Sequence, residues 1–136
     1  MPLSGKEGDI DVGHAPPTVL VVEDDADTRT ALCEFLQDEG LEVTVAGNGA
    51  EAINGLRHTE MPCAMLIDLT MPGIAGEELV AYMRAEKRLA SIPVAIISAS
   101  PERAPAGVRV FGKPFDIEAL VAFVKERCPA NARKPR

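Results

Sequence analysis

No segment of this chain approaches the roughly 18 consecutive apolar residues that a membrane-crossing helix requires, so a helical membrane protein is excluded and no membrane partner is expected. The start, Met1 to Pro17, has no apolar stretch ahead of a cleavage site, which argues against a secretory signal and makes the cytoplasm the default location. Cysteine is scarce. Cys33, Cys63 and Cys128 are odd in number, far apart and without a His or Cys at ligand spacing, so neither a disulfide framework nor a zinc site is expected and ordinary reduced thiols are. Basic residues are in the minority, 14 Lys and Arg against 21 Asp and Glu, and the resulting net charge of −7 opposes non-specific binding to nucleic acid, which rests on neutralising phosphates. The basic end, Arg133-Lys134-Pro135-Arg136, is too short to reverse that and reads as a frayed tail. No internal repeat is visible.

What is present suits one domain. The 136 residues are enough to bury one core and too few for two comfortable ones. Residues 1–17, rich in Gly, Pro and charge, read as a flexible leader, residues 18–127 as the domain and residues 128–136 as a flexible tail. Apolar runs Val19 to Val22, Cys63 to Ile67 and Val94 to Ile97 predict buried strands, the alternating Glu42 to Ala46 predicts another short strand, and Val108 to Phe111 the last. Between them, apolar residues at helical spacing predict helices over Thr28 to Glu39, capped by Asp27, after Asn48, from Glu77 to about Leu89, and after Asp116. Continuous rather than alternating apolar runs mean strands covered on both faces, hence an α/β fold with a doubly wound five-stranded parallel sheet and helices on both sides. In such sheets the ligand site lies beyond the carboxyl ends of the strands.

Polar residues sit at those ends. Glu23-Asp24-Asp25 follows the first strand, Asp68 closes the third, Ser98 the fourth, and Lys113 follows the fifth. Two ionised carboxylates about 4 Å apart repel by roughly 4 kcal/mol at an effective dielectric near 20, so a crowded acidic cluster calls for a cation. Carboxylates, a backbone carbonyl and waters suit Mg²⁺. An aspartate beside such an ion can serve as the nucleophile in phosphoryl transfer, forming an acyl phosphate, with a lysine ammonium and a hydroxyl stabilising the transferred group. A lone strand-end Asp, Ser or Lys is more often a turn or solvated residue; four such residues at one rim outweigh that reading.

Val21-Val22-Glu23-Asp24, Ile67 to Gly73, Ile97-Ser98-Ala99 and Lys113-Pro114-Phe115 together resemble the receiver domain of two-component response regulators, from about Thr18 to Arg127. The resemblance implies strand order 2-1-3-4-5, an Asp68 that accepts a phosphoryl group from a histidine kinase or histidine phosphotransfer protein, and Mg²⁺ held by Asp24, Asp68 and the Thr70 carbonyl, with Glu23 acting mainly through water. It makes Ser98 the switch hydroxyl and Lys113 the lysine that pairs with the aspartate and then its phosphate, and it implies a cis bond before Pro114. Asp25 is left as a solvated loop charge. Thr70 and Ser100 fall at the two positions that gate hydrolytic water; both are small, which implies open access.

Two departures from the family pattern stand out. The position three before the lysine, where the family carries an aromatic switch residue, is Val110, and its neighbour Phe111 faces the other side by strand alternation. Only nine residues, Ala99 to Gly107, with Pro101 and Pro105 among them, connect the fourth strand to the fifth. A crossover with its helix takes at least about 10 to 12 residues, so the fourth helix is expected to be missing or reduced to a loop. The face it would cover is then either a partner or homodimer surface beside Val108 and Val110, or is closed by the loop itself.

The functional expectation is a single-domain response regulator that is phosphorylated on Asp68 with Mg²⁺ and signals by changed contacts with a downstream protein. It is not an enzyme beyond promoting its own phosphorylation and dephosphorylation. A phosphate sink or shuttle, or the receiver part of a hybrid histidine kinase, is the alternative. An aspartate-nucleophile phosphatase is remote, because the second acid of that chemistry would fall at Thr70.

Overall fold

The computed structural model describes residues 18–58, 61–69, 73 and 75–128. The leader, residues 129–136 of the tail, and Thr70 lie outside the described residues. Five strands, β1 (Val19–Val22), β2 (Val43–Ala46), β3 (Ala64–Asp68), β4 (Val94–Ser98) and β5 (Arg109–Gly112), alternate with helices α1 (Ala26–Asp38), α2 (Gly49–His58), α3 (Gly76–Ala85) and α4 (Ile117–Arg127). All pairings are parallel and the spatial order is β2-β1-β3-β4-β5, as the sequence motifs imply.

Strand alternation splits the core in two. Leu20, Val22, Met65, Ile67 and Ile96 turn to the α2 and α3 face, where Leu56, Leu79 and Met83 meet them. Val19, Val21, Leu66 and Ile97 turn to the α1 and α4 face, against Leu36, Leu120, Phe123 and Val124. Every residue of β1 and β3 is buried, which is what their uninterrupted apolar runs require. Phe111 lies on the α1 and α4 face, edge-on to Phe123 with centroids 6.1 Å apart, whereas Val110 packs on the opposite face. An aromatic ring is therefore absent from the switch position.

Several local expectations are corrected. The N-cap of α1 is Asp25, not Asp27: its carboxylate accepts from the Thr28 amide at 2.9 Å and the Thr28 hydroxyl at 2.6 Å. These bonds hold its carboxyl below the usual range, so Asp25 is solvated, as expected, and also serves as the helix cap. Helix α3 stops at Ala85, short of Leu89, because the chain turns back through Leu89 N to Glu86 O at 2.9 Å. Asn48 caps α2, Glu51 N donating to Asn48 Oδ1, and the Glu51 side chain reaches back one residue further to accept from Gly47 N, both at 2.8 Å.

The expected reduced thiols are overturned more seriously: Cys63 and Cys128 form a disulfide, leaving Cys33 as the free cysteine among the described residues. Cys63 precedes β3 and Cys128 caps α4, 65 residues apart in sequence. Parallel strands begin at one edge of the sheet, and α4 runs back to that edge, so the fold closes a distance that spacing alone does not reveal. Cys128, assigned from sequence to the tail, is buried.

The short crossover holds a single 3₁₀ turn, Pro101–Arg103, in place of a helix. Arg103 pairs with Glu77 at 2.6 Å, Arg84 Nη2 donates to Ala106 O at 2.5 Å, and Ala104 and Val108 pack on the α2 and α3 core. Of the two outcomes left open for the uncovered face, the loop itself closes much of it.

Candidate functional site

Because the strands are parallel, the residues that end them share one rim. Backbone bonds carry the sheet one step further there: Glu23 N donates to Ala46 O at 3.0 Å, Leu69 N to Ile97 O at 3.2 Å and Lys113 N to Ser98 O at 2.8 Å. Glu23, Asp68, Ser98 and Lys113 are thus fixed by the sheet rather than by loops. The oxygens of Glu23, Asp24 and Asp68 lie within 4.8 Å of one another. Lys113 Nζ stands 3.8 Å from Glu23 Oε1 and 3.9 Å from Asp68 Oδ1, and the Lys113–Pro114 bond is cis. Ser98, buried, accepts from Ser100 N at 2.8 Å through its hydroxyl oxygen, which leaves the hydroxyl hydrogen to donate.

Glu23 and Asp68 are buried and Asp24 is exposed. Burial pushes the Glu23 carboxyl up from 4.5 to about 7; the Asp68 hydrogen bond and charge add to the rise, while the Asp25 amide and Lys113 oppose it. Its Oε2 accepts from Asp25 N at 3.2 Å, but Oε1 is buried without a hydrogen-bond partner. A buried carboxylate oxygen lacking a donor, next to two further carboxylates, is a cation-shaped deficit. All-oxygen donors, with no thiolate or imidazole in the cluster among the described residues, favour a hard divalent ion such as Mg²⁺ over soft metals.

A pH dependence follows. Between pH 4.5 and about 7 the folded state holds a proton on Glu23 that the unfolded chain has lost, so stability without divalent ions falls as pH rises through this window and levels off above it. The interval corresponds to ~3 kcal/mol. Urea denaturation in chelator at pH 5 and pH 8 should show this fall, and Glu23→Gln should remove most of it; an unchanged slope in the variant would assign the effect elsewhere.

Neighbouring residues that sequence reasoning missed hold the cluster in place. Arg29 Nη1 donates to Glu23 O at 2.8 Å, anchoring the acidic turn from the first coil of α1. Gly76, at the start of α3, donates its amide to Leu69 O at 2.9 Å, and a Cβ there would come within 2.6 Å of Asp68 O and 2.7 Å of Leu69 Cα. Nothing in the local pattern around Gly76 signals that backbone contact, which exists only once α3 has folded back over β3. Gly76→Ala should therefore push α3 off the Asp68 loop, lower stability by about 1 to 3 kcal/mol in a thermal melt and weaken divalent-ion binding in calorimetry. Unchanged values for both would show that the contact relaxes freely.

Comparison with known proteins agrees with this geometry. The sequence profile of the response regulator receiver domain matches residues 19–125. The transcriptional regulatory protein PrrA of Mycobacterium leprae is 36% identical over 126 residues, covering 85% of this chain and 52% of PrrA; the chain spans about half the length of that relative. A 14.6 kDa protein of Leptolyngbya boryana is 35% identical over 119 residues, with 82% of this chain and 90% of the other covered. Among solved structures, a response regulator receiver protein from Pseudomonas putida superposes with a TM-score of 0.73 at 29% identity, over 83% of this chain and 98% of that one.

Proposed function

The chain belongs to the response regulator receiver domain family, and from that premise we propose that Asp68 accepts a phosphoryl group from a histidine kinase or histidine phosphotransfer protein, and that the phosphorylated form signals through altered contacts with a downstream protein. The observation that carries this reading is the placement of Asp68, a buried carboxylate at a strand end, 3.9 Å from the Lys113 ammonium and within the Glu23 and Asp24 cluster.

In the proposed reaction an Asp68 carboxylate oxygen attacks phosphorus, an acyl phosphate P–O bond forms, and the P–N bond to the donor histidine breaks in line, the imidazole leaving with the electron pair. Lys113 neutralises a phosphoryl oxygen, and the Ser98 hydroxyl donates to another. Glu23, Asp24 and Asp68 would hold Mg²⁺, with the Thr70 carbonyl as a further ligand by family resemblance; when bound, the ion would supply positive charge to the transferred group in addition to that of Lys113. No other substrate is turned over in this reading, so the chain promotes its own phosphorylation and dephosphorylation. The proposal places it in the cytoplasm, with the ATP that charges a histidine kinase. No helix among the described residues is long and apolar enough to cross a membrane.

Incubation with acetyl phosphate and Mg²⁺, followed by intact mass measurement, tests the reading. One added phosphoryl group of about 80 Da, formed only with Mg²⁺ and prevented when chelator is present during the incubation, is the expected result; an unchanged mass under donor excess rejects it.

A further inference from the structure

At the opposite edge of the sheet, where β4 and β5 begin, a cavity of about 650 Å³ opens between the ends of α3 and α4. Its floor is apolar, with Met83, Ile92, Val108 and Phe123 among the lining residues, and the charged lining residues are Arg84, Arg109 and Arg127. Among the described residues no carboxylate lines it, although acidic residues outnumber basic ones 21 to 14 along the chain. Gly107, at the end of the shortened crossover, and Val108 form part of its wall.

The guanidinium groups are held rather than free to wave. Arg109 stacks on the Phe111 ring at 4.5 Å and Arg127 on the Phe123 ring at 4.1 Å, and the two rings touch edge to face. Arg84 is tied to Ala106 O at 2.5 Å, and Arg127 to Phe123 O at 3.2 Å and Glu126 at 2.9 Å. Each guanidinium carries five N–H groups, so these contacts orient the groups and leave donors over. Complementing a helix C-terminus explains a cation in the last turn of α3 and of α4, but Arg109 is on a strand, and that account does not require all three to face one apolar cavity.

We propose that this cavity is a binding site for an amphipathic organic anion, a small molecule with an apolar body and a carboxylate or phosphate head. The volume falls in the range of about 300 to 1,000 Å³ common for small-molecule sites, and the lining joins apolar side chains to three guanidinium groups, the two chemistries an amphipathic anion presents. Planar guanidinium forks match carboxylate and phosphate oxygens in pairs, and stacking on Phe111 and Phe123 reduces the ordering needed on binding. The site is remote from Asp68, at the end of the sheet where strands begin rather than where they finish.

The probe is 8-anilinonaphthalene-1-sulfonate, followed by fluorescence with the folded full chain. Saturable single-site binding is expected, displaced by dodecanoate and far less by dodecanol. Arg109→Gln and Arg127→Gln should each weaken it about tenfold, and Arg57→Gln, outside the cavity, should leave it unchanged. Circular dichroism melting checks that the variants fold; should one fail, Arg84→Gln and the salt dependence of dodecanoate displacement in the unaltered protein report on the same contacts, since only a charged head loses affinity with salt. Equal displacement by dodecanol, or affinities indifferent to all three arginines and to salt, would overturn the proposal. Displacement by an acidic amphipathic peptide but not by dodecanoate would also overturn it, and would assign the surface to a protein partner.

Discussion

Asp68→Asn is expected to abolish the acetyl phosphate adduct while raising the melting temperature. The first half follows because the amide is not a nucleophile at that position, and neither Glu23 nor Asp24 stands at the end of β3 to replace it. The second half follows from the charge arrangement: Asp68 shares a 4.8 Å cluster with two other carboxylates and has one close cation, Lys113, at 3.9 Å. In chelator at pH 8, where Glu23 is ionised, two repulsions of up to roughly 4 kcal/mol each act against the Lys113 attraction of similar size at an effective dielectric near 20, with the share of exposed Asp24 reduced by solvent, so neutralising position 68 is expected to stabilise. Opposite signs for function and stability are the usual mark of a functional residue. Mass spectrometry and calorimetry on one preparation check both halves, the calorimetry in chelator. A phosphoryl adduct on the Asp68→Asn variant would sink the nucleophile assignment, and a lowered melting temperature would show that the Lys113 pairing outweighs the repulsion.

Reduction of the Cys63–Cys128 bridge, or Cys63→Ser with Cys128→Ser, should lower the unfolding free energy by about 4 kcal/mol. That is the chain-entropy value for a loop of this length, the two cysteines being 65 residues apart. For a domain of this size the change amounts to a loss of about 15 °C in melting temperature. The bridge joins the start of the strand that carries Asp68 to the end of α4, so it clamps one edge of the core while the rim remains as it is. Phosphorylation of the reduced, still folded protein at low temperature is therefore expected to persist. Melting with and without dithiothreitol, with thiol alkylation counted by mass, checks the effect. Equal melting temperatures for verified oxidised and reduced forms would show that the crosslink restrains nothing in the unfolded chain.

Much of the rim was legible in one dimension because each of its residues is attached to a strand end, and strand ends are visible as the termini of apolar runs. Asp68 after Ala64 to Ile67, Ser98 after Val94 to Ile97 and Lys113 after Phe111 needed only the rule that parallel strands end together. The missing crossover helix was legible too, because chain length and two prolines bound what nine residues can build. The cap of α1 was misplaced by two residues, since Asp25 and Asp27 are chemically equal candidates and only the Thr28 geometry separates them.

The chain by itself determined the α/β class, the order of elements and the convergence of Glu23, Asp24, Asp68, Ser98 and Lys113, because periodicity and strand ends are local properties that survive in a string of letters. Tertiary structure alone decided the Cys63–Cys128 bond, the pressure of Gly76 on the Asp68 loop and the gathering of Arg84, Arg109 and Arg127 around one cavity. Each of these depends on how close distant segments come when helices fold back on the sheet, a distance set by packing and carried by no residue pattern.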